Sequence, residues 1–393
     1  MNQRLKVGLF IDTFYPMIDG VVQVVDNYAR RLSKDCDVTV FAPTGRKKFD
    51  DSTLPYRVVR CTKKIKLFFL DYDLPLPKSD KKFLNELENS TLDIVHIHSP
   101  FSMGGVAVRY AKKHNIPCIG HMHSQFKRDF KKNAKLPFIV NILLSKVTKI
   151  FNSCDECWAV NEKTADLFVE YGVKKRPKIV YNGTDMLPVK DFGGVKELRL
   201  KYNISADEKV FLFVGRIIDL KNIFFILDSL KKLKHTGFKF KMIYVGSGPD
   251  EKKLKRKIAQ YGLENEVVLT GKVSSRESLA NFYAMCDLLL FPSAYDTDGL
   301  VRMEGASQSK PTLFIENTFA SSAVKDDENG YISKATPKDY ANKIIEIFSN
   351  EKLYKNICKN AYKDLYILWD DVVKNSFEKY VKIVENFKND SKK

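Results

Sequence analysis

Short apolar runs rich in β-branched residues alternate with helical patterns along the whole chain. In the first half the runs are LKVGLFID, DVTVFAP, YRVVRC, DIVHIHSP, IPCIGHM, ECWAV and KIVYNG, and in the second half VFLFVG, FKMIYVG, EVVLTG, DLLLFP and TLFIEN. Strands that alternate with helices form parallel sheets through right-handed crossovers, and this many strands fits two sheets better than one. The sequence therefore predicts an α/β protein of two doubly wound, Rossmann-like domains.

The domain boundaries follow from one stretch rich in glycine, proline and aspartate, YNGTDMLPVKDFGG at residues 181–194, which is the predicted hinge. We expect an N-terminal domain over residues 1–185, a C-terminal domain over 186–368, and a final helix in 369–393. The apolar residues of that helix recur at steps of three and four: Val373, Phe377, Tyr380, Val384 and Phe387. Ligand is expected in the cleft between the two domains.

Charge and cysteine content narrow the class of protein. The 66 Lys and Arg residues exceed the 48 Asp and Glu residues by 18, which favours an anionic partner such as a membrane surface, nucleic acid or a phosphorylated substrate. The segment MNQRLKVGLFIDTFYP has no long apolar stretch of the kind found in signal peptides, so a cytoplasmic location is expected. Seven scattered cysteines do not suggest a disulfide framework.

Two carboxylates mark the segment SAYDTDGLVRMEGASQSKP at residues 293–311. Asp296 and Glu304 have seven residues between them and follow the apolar run DLLLFP, which is predicted to be a buried strand. Gly299 then precedes a predicted helix whose free N–H groups suit a phosphate. With one carboxylate ahead of the helix and one inside it, the two can bind different parts of one ligand.

Two cations follow the predicted buried strand VFLFVG. Arg216 comes directly after Gly215, and Lys221 lies five residues further on, where the next helix is expected to open. Ligands of α/β sheets bind at the carboxyl ends of the strands, and two cations there can neutralise a diphosphate leaving group. Because Arg216 and Lys221 supply the charge that a divalent ion would bring, no metal and no cofactor are expected.

These elements resemble the signature of the family-4 retaining glycosyltransferases of the GT-B fold, among which are glucosyltransferases acting on diacylglycerol. The resemblance implies a nucleotide-sugar donor, with Asp296 and His123 at the transferred sugar and Glu304 at the ribose hydroxyls. Arg216 and Lys221 would then bind the diphosphate. The family usually has Glu where this chain has Asp296.

Further donor contacts are carried over from the same resemblance. The amides of Gly299, Leu300 and Val301 would face the diphosphate. A loop that ends at Gly20 would cover the phosphates from the other domain, and the run GKVS would place Lys272 and Val273 beside the base. In the family the last helix crosses back to pack on the N-terminal domain. The run GSGP at residues 246–249 lacks the third glycine of a dinucleotide fingerprint, so NAD binding is not supported.

Two HxH pairs, His96 with His98 and His121 with His123, each point to one face near the end of a predicted strand. Two such pairs could build the metal site of a metal-dependent hydrolase, which is the rival enzyme hypothesis. That hypothesis leaves the acidic and basic pairs unexplained. We therefore expect His96, His98 and His121 to be hydrogen-bonded residues at strand ends.

The acceptor is indicated by residues 126–151, FKRDFKKNAKLPFIVNILLSKVTKIF, which predict one basic amphipathic helix with aromatic residues near its ends. Such a helix binds an anionic bilayer surface. The residues expected to dock on the membrane are Lys127, Arg128, Lys131, Lys132, Lys135 and Phe138. The alternative is that the apolar stripe faces the core of the N-terminal domain.

The sequence thus predicts a retaining, metal-independent hexosyltransferase that uses a nucleotide diphosphate sugar. A UDP-sugar is the expected donor. Its acceptor is expected to be a glycerolipid at the inner face of the plasma membrane, where the protein is peripheral. Transfer to capsule, teichoic acid or another surface glycan is the alternative within the same class. A non-catalytic protein that binds anionic surfaces or nucleic acid is a third possibility, although the lysines form no basic recognition helix, so no nucleic-acid partner is expected.

Overall fold

The computed structural model describes residues 4–66, 73–133 and 136–390, without the side chains of residues 132 and 133. The chain divides into two units. One unit runs to Asn182 and includes the chain from Trp369 onward, and the other is Gly183–Leu368. The division after Asn182 falls inside the stretch predicted as the hinge.

The strands are short and mostly buried. They are β1 Lys6–Phe10, β2 Asp37–Pro43, β3 Arg57–Cys61, β4 Lys64–Ile65, β5 Leu74–Pro75, β6 Ile94–Ile97, β7 Cys118–Met122, β8 Glu156–Ala159, β9 Lys178–Ile179, β10 Lys209–Val214, β11 Phe240–Val245, β12 Val267–Gly271, β13 Leu288–Leu290, β14 Thr312–Ile315 and β15 Tyr331–Ser333. Each of the apolar runs identified in the sequence overlaps one of these strands.

The helices connect the strands. They are α1 Gly20–Leu32, α2 Lys81–Glu88, α3 Ser102–His114, α4 Phe126–Asn133, α5 Pro137–Phe151, α6 Glu162–Glu170, α7 Gly193–Lys201, α8 Ile223–Lys234, α9 Glu251–Gln260, α10 Arg276–Met285, α11 Val301–Ser307, α12 Pro337–Ser349, α13 Glu351–Leu365 and α14 Trp369–Asp390. Side-chain caps fix several starts: the Asp19 carboxylate accepts from the Val22 amide at 2.8 Å at the start of α1.

In the N-terminal unit, seven of the described strands form a parallel sheet in the order β3-β2-β1-β6-β7-β8-β9. Strands β4 and β5 pair separately as a small antiparallel ribbon. The chain leaves β1 in one direction and returns at β6 on its other side, so the strand order reverses between β1 and β6. Such a reversal opens a crevice at the carboxyl ends of the two strands.

The C-terminal unit repeats this arrangement. Six strands within its described residues form a sheet in the order β12-β11-β10-β13-β14-β15, and their pairing is parallel. The order reverses between β10 and β13. The core on one face packs aromatic and aliphatic residues of these strands against α8 and α12, with Phe211, Leu230, Tyr340 and Ile344 fully buried. The predicted pair of doubly wound α/β domains is confirmed.

The last helix, α14, belongs to the N-terminal unit. Its residues Trp369, Val373, Tyr380 and Val384 are buried, and the helix packs on α1. The Tyr28 and Ser376 hydroxyls hydrogen-bond at 3.0 Å across this contact. The prediction that the final helix packs on the N-terminal domain is confirmed. No helix in the described part of the chain combines the length and the apolar character that a bilayer crossing needs.

Candidate functional site

The strand reversal in the C-terminal unit brings one predicted cation and one predicted carboxylate together. After β10 the chain runs through Gly215 and Arg216 into a short 3₁₀ turn, Asp219–Lys221. After β13 it runs through the loop that carries Asp296. The Lys221 ammonium lies 2.9 Å from Oδ1 and 3.1 Å from Oδ2 of Asp296. The residues that the sequence placed 75 positions apart along the chain therefore form an ion pair.

A neighbouring contact ties the two loops together. The side-chain amide of Asn222 donates to the carbonyl of Pro292 at 2.7 Å, and Asn222 itself adopts a left-handed conformation with φ of 56°. Helix α8 starts at Ile223, so Lys221 ends the 3₁₀ turn instead of opening the helix as predicted. The ammonium of Lys221 also lies 5.5 Å from the ring centre of Phe291. Asn222 is a site residue that the sequence analysis missed.

Glycines let two backbone segments, 215–217 and 246–248, meet beside Arg216. A Cβ at Gly246 would lie 1.9 Å from the carbonyl oxygen of Gly215, and a Cβ at Gly248 would lie 2.2 Å from that of Ile217. The Ile217 amide donates to the Ser247 carbonyl at 3.0 Å. The GSGP run therefore supports the loop that carries Arg216 and Lys221, which explains its two glycines without a dinucleotide.

The loop after β13 is fixed by a buried serine. The Ser293 hydroxyl accepts from the amides of Tyr295 and Asp296, both at 3.3 Å, which holds the Asp296 backbone against the end of the strand. Gly299 has φ of 70°, and a Cβ there would lie 3.0 Å from the Phe291 ring, so both conformation and space favour glycine. Helix α11 then begins at Val301, between the two carboxylates as predicted, but spans only seven residues.

Glu304 lies on α11 and contacts a tyrosine. The Tyr283 hydroxyl donates to Glu304 Oε2 at 2.5 Å. Burial raises the pKa of Glu304, against the opposing effects of the Tyr283 hydrogen bond and of Arg276. The tyrosine partner was not foreseen from the sequence, and it orients the carboxylate that the resemblance assigns to the ribose.

A second ion pair in the same loop is buried. The guanidinium of Arg302 lies 3.0 Å from Asp298 Oδ1, one helical turn away, and the two side chains are only 4% and 8% exposed. Removing one partner would leave a buried charge uncompensated. The pair joins Asp298 in the loop to Arg302 on α11, so it stabilises the start of that helix. Its role is structural, and the sequence analysis did not identify it.

The remaining predicted donor contacts differ in exposure. Arg216 and Lys272 are exposed, and Arg216 forms no ion pair with any residue the structure describes. Lys272 follows β12, whose last residue Gly271 has φ of 75°. Val273 is half-buried against the core that contains Phe282 and Tyr283. Arg216 is thus a cation open to an anion, whereas Val273 is partly committed to packing.

In the N-terminal unit, the predicted sugar-contacting residue His123 follows β7 and pairs with His98, which follows β6. Nδ1 of His98 lies 3.1 Å from Nε2 of His123, and the rings stack with centres 5.3 Å apart. Burial lowers the pKa of His123 to about 3, so its imidazole is neutral at physiological pH. A neutral ring can donate or accept one hydrogen bond toward a sugar hydroxyl.

The expectation that His96, His98 and His121 are hydrogen-bonded residues is wrong in part. The three side chains are 0%, 2% and 1% exposed, respectively. Among the residues that the structure describes, Nε2 of His96, Nε2 of His98 and both ring nitrogens of His121 have no hydrogen-bond partner of normal geometry. One ring nitrogen from each residue lies within 4.8 Å of the other two, so the group could hold a metal ion. The HxH spacing placed each pair on one face, but only the sheet order brings the pairs side by side.

Asp12 is a buried carboxyl at the end of β1 that the sequence analysis did not select. Its Oδ1 accepts from the Met103 amide at the start of α3 at 3.0 Å. Burial raises the pKa of Asp12 to about 7, while the Met103, Phe101 and Ser102 amides oppose that shift. Asp12 lines a cavity of about 280 Å³ together with Phe14, Arg46 and Asp73.

Gly20, predicted to cover donor phosphates, is the first residue of α1. A Cβ there would meet no atom of the described parts of the chain within 4 Å, so their packing does not require glycine at this position. The role implied by the resemblance, a close approach of the loop to a ligand, stays a prediction.

The predicted single amphipathic helix over residues 126–151 is two helices, α4 and α5. Pro137 takes the first turn of α5, a position where its missing N–H costs nothing. Phe126 and Phe151 are buried in the core and so cannot reach a membrane. The buried face of α5 is formed by Val140, Leu144, Val147 and Phe151, so part of the predicted stripe does face the core.

Three exposed apolar residues lie at the N-terminal end of α5: Leu136 directly before the helix, and Phe138 and Ile142 within it. Leu136, Phe138 and Ile142 are 51%, 59% and 51% exposed, respectively. On α4, Lys127, Arg128 and Lys131 are exposed. Of the other predicted docking residues, Lys135 lies outside the described residues, and Lys132 belongs to α4 without a described side chain.

The two halves of the chain match two profiles of known protein families. Residues 18–186 match the profile described as Glycosyltransferase Family 4, and residues 195–364 match that of Glycosyl transferases group 1. The matched ranges correspond to the two units, so the family assignment rests on both sheets.

Full-length relatives point the same way. The chain is 25% identical over 394 residues to an alpha-monoglucosyldiacylglycerol synthase of Streptococcus pneumoniae, covering 95% of this chain and 88% of that protein. It is 25% identical over 372 residues to the Acholeplasma laidlawii protein of the same name, covering 91% and 92%.

The fold is similar to that of Anabaena Alr3699/HepE. The complex of that protein with UDP superposes with a TM-score of 0.77 at 16% identity, covering 96% of this chain and 100% of the other. Its complex with UDP-glucose gives a TM-score of 0.71 at 17% identity, covering 98% and 99%. With two Rossmann-like sheets, two matching profiles and full-length relatives of one class, this chain is a family-4 glycosyltransferase of the GT-B fold.

Proposed function

We propose that this glycosyltransferase is retaining and metal-independent, and that it transfers a hexose from a UDP-sugar to a glycerolipid at a membrane surface. The observation that carries the proposal is the Lys221–Asp296 pair at the strand reversal of the C-terminal unit. It places a cation and a carboxylate where α/β sheets bind nucleotides.

The cations account for departure of the nucleotide diphosphate. As the bond between the sugar and the diphosphate breaks, negative charge develops on the leaving oxygen. Arg216 is exposed and can bind the diphosphate through two parallel hydrogen bonds, while Lys221 contributes a point charge. Together they supply the charge stabilisation that a divalent ion supplies elsewhere, which supports metal-independent transfer.

Asp296 has two roles in this proposal. It positions Lys221 through the ion pair, and its second role is to accept a hydroxyl hydrogen bond from the transferred sugar. An ammonium group has three N–H donors. Lys221 can therefore donate one hydrogen bond to an Asp296 oxygen and use the others to contact the diphosphate. His123 keeps the role that the resemblance implies, at the transferred sugar.

Glu304 is proposed to bind the ribose. Its carboxylate has two oxygens, and only Oε2 is engaged by the Tyr283 hydroxyl. The second oxygen can accept from a ribose hydroxyl. Lys272 and Val273 are proposed to lie beside the base, and the amides of Gly299, Leu300 and Val301 beside the diphosphate.

The acceptor proposal has two supports. The relatives from S. pneumoniae and A. laidlawii are named for the synthesis of alpha-monoglucosyldiacylglycerol, a diacylglycerol that carries one glucose. Leu136, Phe138 and Ile142 expose apolar side chains at the start of α5, which packs beside the basic helix α4. Apolar anchors beside basic residues bind anionic lipid surfaces. We therefore propose peripheral attachment at the inner face of the plasma membrane.

The test is a panel of nucleotide sugars assayed with chelator present. Each donor is offered with diacylglycerol, with monoglucosyldiacylglycerol and with soluble sugars, and the anomeric configuration of the product is read by NMR. The proposal predicts turnover with a UDP-hexose and a lipid acceptor, with the α configuration of the donor kept. Turnover only with the soluble sugars would refute the lipid part, and inversion would refute the stereochemical part.

A further inference from the structure

Four histidines meet at the carboxyl ends of β6 and β7. His96 and His98 have ring centres 4.1 Å apart, and those of His121 and His123 are 4.2 Å apart. The two strands pair directly, so the rings of His96 and His121 stack with centres 5.4 Å apart and an angle of 11° between planes. A group of imidazoles this dense and this buried needs a physical explanation.

Their nitrogens are incompletely used. A buried polar atom without a hydrogen bond costs roughly 1–3 kcal/mol, so buried groups in native proteins are nearly always paired. Nε2 of His96, Nε2 of His98 and the two ring nitrogens of His121 are buried, and no described residue offers them a partner of normal geometry. Burial lowers the pKa of His121, although a contact with the backbone of Val180 favours its protonation. Several unpaired nitrogens in one place indicate that a bound species satisfies them.

The paired nitrogens have the arrangement of an outer coordination shell. Nδ1 of His96 lies 2.5 Å from the Tyr380 hydroxyl, and Nδ1 of His98 lies 3.1 Å from Nε2 of His123. Histidines that bind metal ions almost always use the second ring nitrogen in a hydrogen bond, which fixes ring orientation and tautomer. His96 and His98 each have one nitrogen held in this way and the other free.

We propose that His96, His98 and His121 bind one divalent transition-metal ion inside the N-terminal unit, with Zn²⁺ as the leading candidate. One nitrogen from each residue lies within 4.8 Å of the other two. In tetrahedral zinc sites Zn–N distances of about 2.0–2.1 Å place neighbouring nitrogens about 3.3 Å apart, so the rings move together when the ion binds. Three imidazole ligands suit zinc, copper and nickel and disfavour Mg²⁺ or Ca²⁺.

The surroundings give the ion a structural role. Tyr28, Trp158 and Tyr380 line the cluster, with Trp158 and Tyr380 stacked at 5.6 Å. Tyr380 belongs to α14, so the bound ion would join β6, β7 and the C-terminal helix through His96 and its tyrosine. Burial lowers the pKa of all three histidines well below the usual value, which keeps them in the neutral, metal-binding form. This inference is independent of the transfer reaction, which still needs no metal.

The test titrates Co²⁺ and Zn²⁺ into full-length protein made without a histidine tag and stripped with chelator. Co²⁺ in a tetrahedral nitrogen site absorbs in the visible range, and Zn²⁺ displaces it. We expect one ion per chain bound at micromolar concentration, a raised thermal transition with Zn²⁺, and at least 100-fold weaker binding in His121→Gln and in His98→Gln. Uptake of no metal by the wild-type protein would overturn the proposal.

Two control variants test the location. His235 is exposed in the C-terminal unit, and His114 lies on the surface 2.6 Å from Glu88, where a metal could bind adventitiously. His235→Gln and His114→Gln are expected to bind as the wild type does. Loss of binding in either control, or unchanged binding in a folded His121→Gln protein, would contradict the assignment. Should His121→Gln not fold, the wild-type titration and the two controls still decide.

Discussion

Lys221 and Asp296 form a partly buried ion pair in which the ammonium lies within 3.1 Å of both carboxylate oxygens, with the two side chains 18% and 22% exposed. A cation assigned to the diphosphate and a carboxylate assigned to the sugar are thus coupled. Changing either one alters the electrostatics of the other, so each role needs its own substitution and its own measured quantity.

Lys221→Met is expected to lower kcat/KM for the donor by about 10²–10³, because charge stabilisation of a leaving group is worth that much in related sites. The matched control is Lys239→Met, an exposed lysine paired with Asp207 at 2.6 Å in the same unit. Steady-state rates with a saturating acceptor measure the effect. Equal rates for the two variants would contradict the role of Lys221.

Asp296→Asn separates binding from turnover. The variant removes the carboxylate charge and leaves Lys221 unpaired, so UDP affinity should stay the same or increase, while kcat falls by at least about 10² because the sugar is no longer oriented by a charged acceptor. Calorimetry with UDP and a turnover assay measure the two quantities. A variant that turns over normally would show that Asp296 only positions Lys221.

Glu304→Gln tests the ribose contact. The wild-type enzyme should prefer UDP over 2′-deoxy-UDP, and the variant should lose about tenfold of that preference, as expected for a charged hydrogen bond. Because burial raises the pKa of Glu304, UDP affinity should increase with pH as the carboxyl ionises, and the variant should lack that dependence. Tyr283→Phe removes a hydrogen bond that lowers this pKa and should shift the dependence to higher pH. An unchanged 2′-hydroxyl preference in Glu304→Gln would exclude the contact.

Asp12 gives the fold a pH dependence of its own. Its pKa is raised from 3.8 to about 7, so the folded state holds a proton that the unfolded chain releases above pH 3.8. The free energy of unfolding should therefore fall as pH rises toward 7, by about 2 kcal/mol between pH 5.5 and 8.0. Asp12→Asn keeps an acceptor for the Met103 amide and should lack this contribution.

Urea unfolding of wild type and Asp12→Asn at the two pH values measures the difference between the proteins. Taking that difference cancels the contribution of the buried histidines to the free energy of unfolding. Their lowered pKa values act in the opposite direction, because they destabilise the fold as pH falls below 6.5. Parallel pH profiles for the two proteins would mean that Asp12 titrates normally.

The exposed apolar residues at the start of α5 are expected to anchor the protein on lipid. Replacing Leu136, Phe138 and Ile142 with serine should weaken binding to anionic vesicles about 100-fold, since each partly exposed side chain contributes on the order of 1 kcal/mol when buried in lipid. Phe192→Ser with Leu200→Ser is the control, because these residues of the other unit are 53% and 77% exposed. Vesicle flotation measures binding, and equal loss in the control would exclude a specific anchor.

The fold was predictable because buried parallel strands appear in the sequence as apolar runs. Every such run overlaps a strand, and the positions of Asp296, Glu304 and Lys221 relative to these runs indicated the site. Strand β15, Tyr331–Ser333, escaped detection because its three residues YIS lie in no longer apolar run, whereas the equally short β13 lies within DLLLFP. Pro137 was not recognised as a helix start inside a continuous apolar stripe, which is why α4 and α5 were predicted as one helix.

Contacts between distant segments could not be read from the sequence. The Asn222 bond to Pro292, the Tyr283 bond to Glu304 and the histidine cluster all depend on which strands lie side by side. Spacing places two histidines on one face of one strand, but sheet order decides whether two strands present them to each other. The glycines of GSGP likewise acquire a purpose only when the backbone of Gly215 lies against them.

The central claim is that the carboxyl edge of the C-terminal sheet binds a uridine diphosphate through Arg216 and Lys221. Isothermal titration of UDP into chelator-treated protein tests it most directly. The account predicts one UDP per chain without added metal, and at least tenfold weaker binding in Arg216→Met and in Lys221→Met but not in Lys239→Met. Absence of UDP binding, or equal affinity in all three variants, would contradict it.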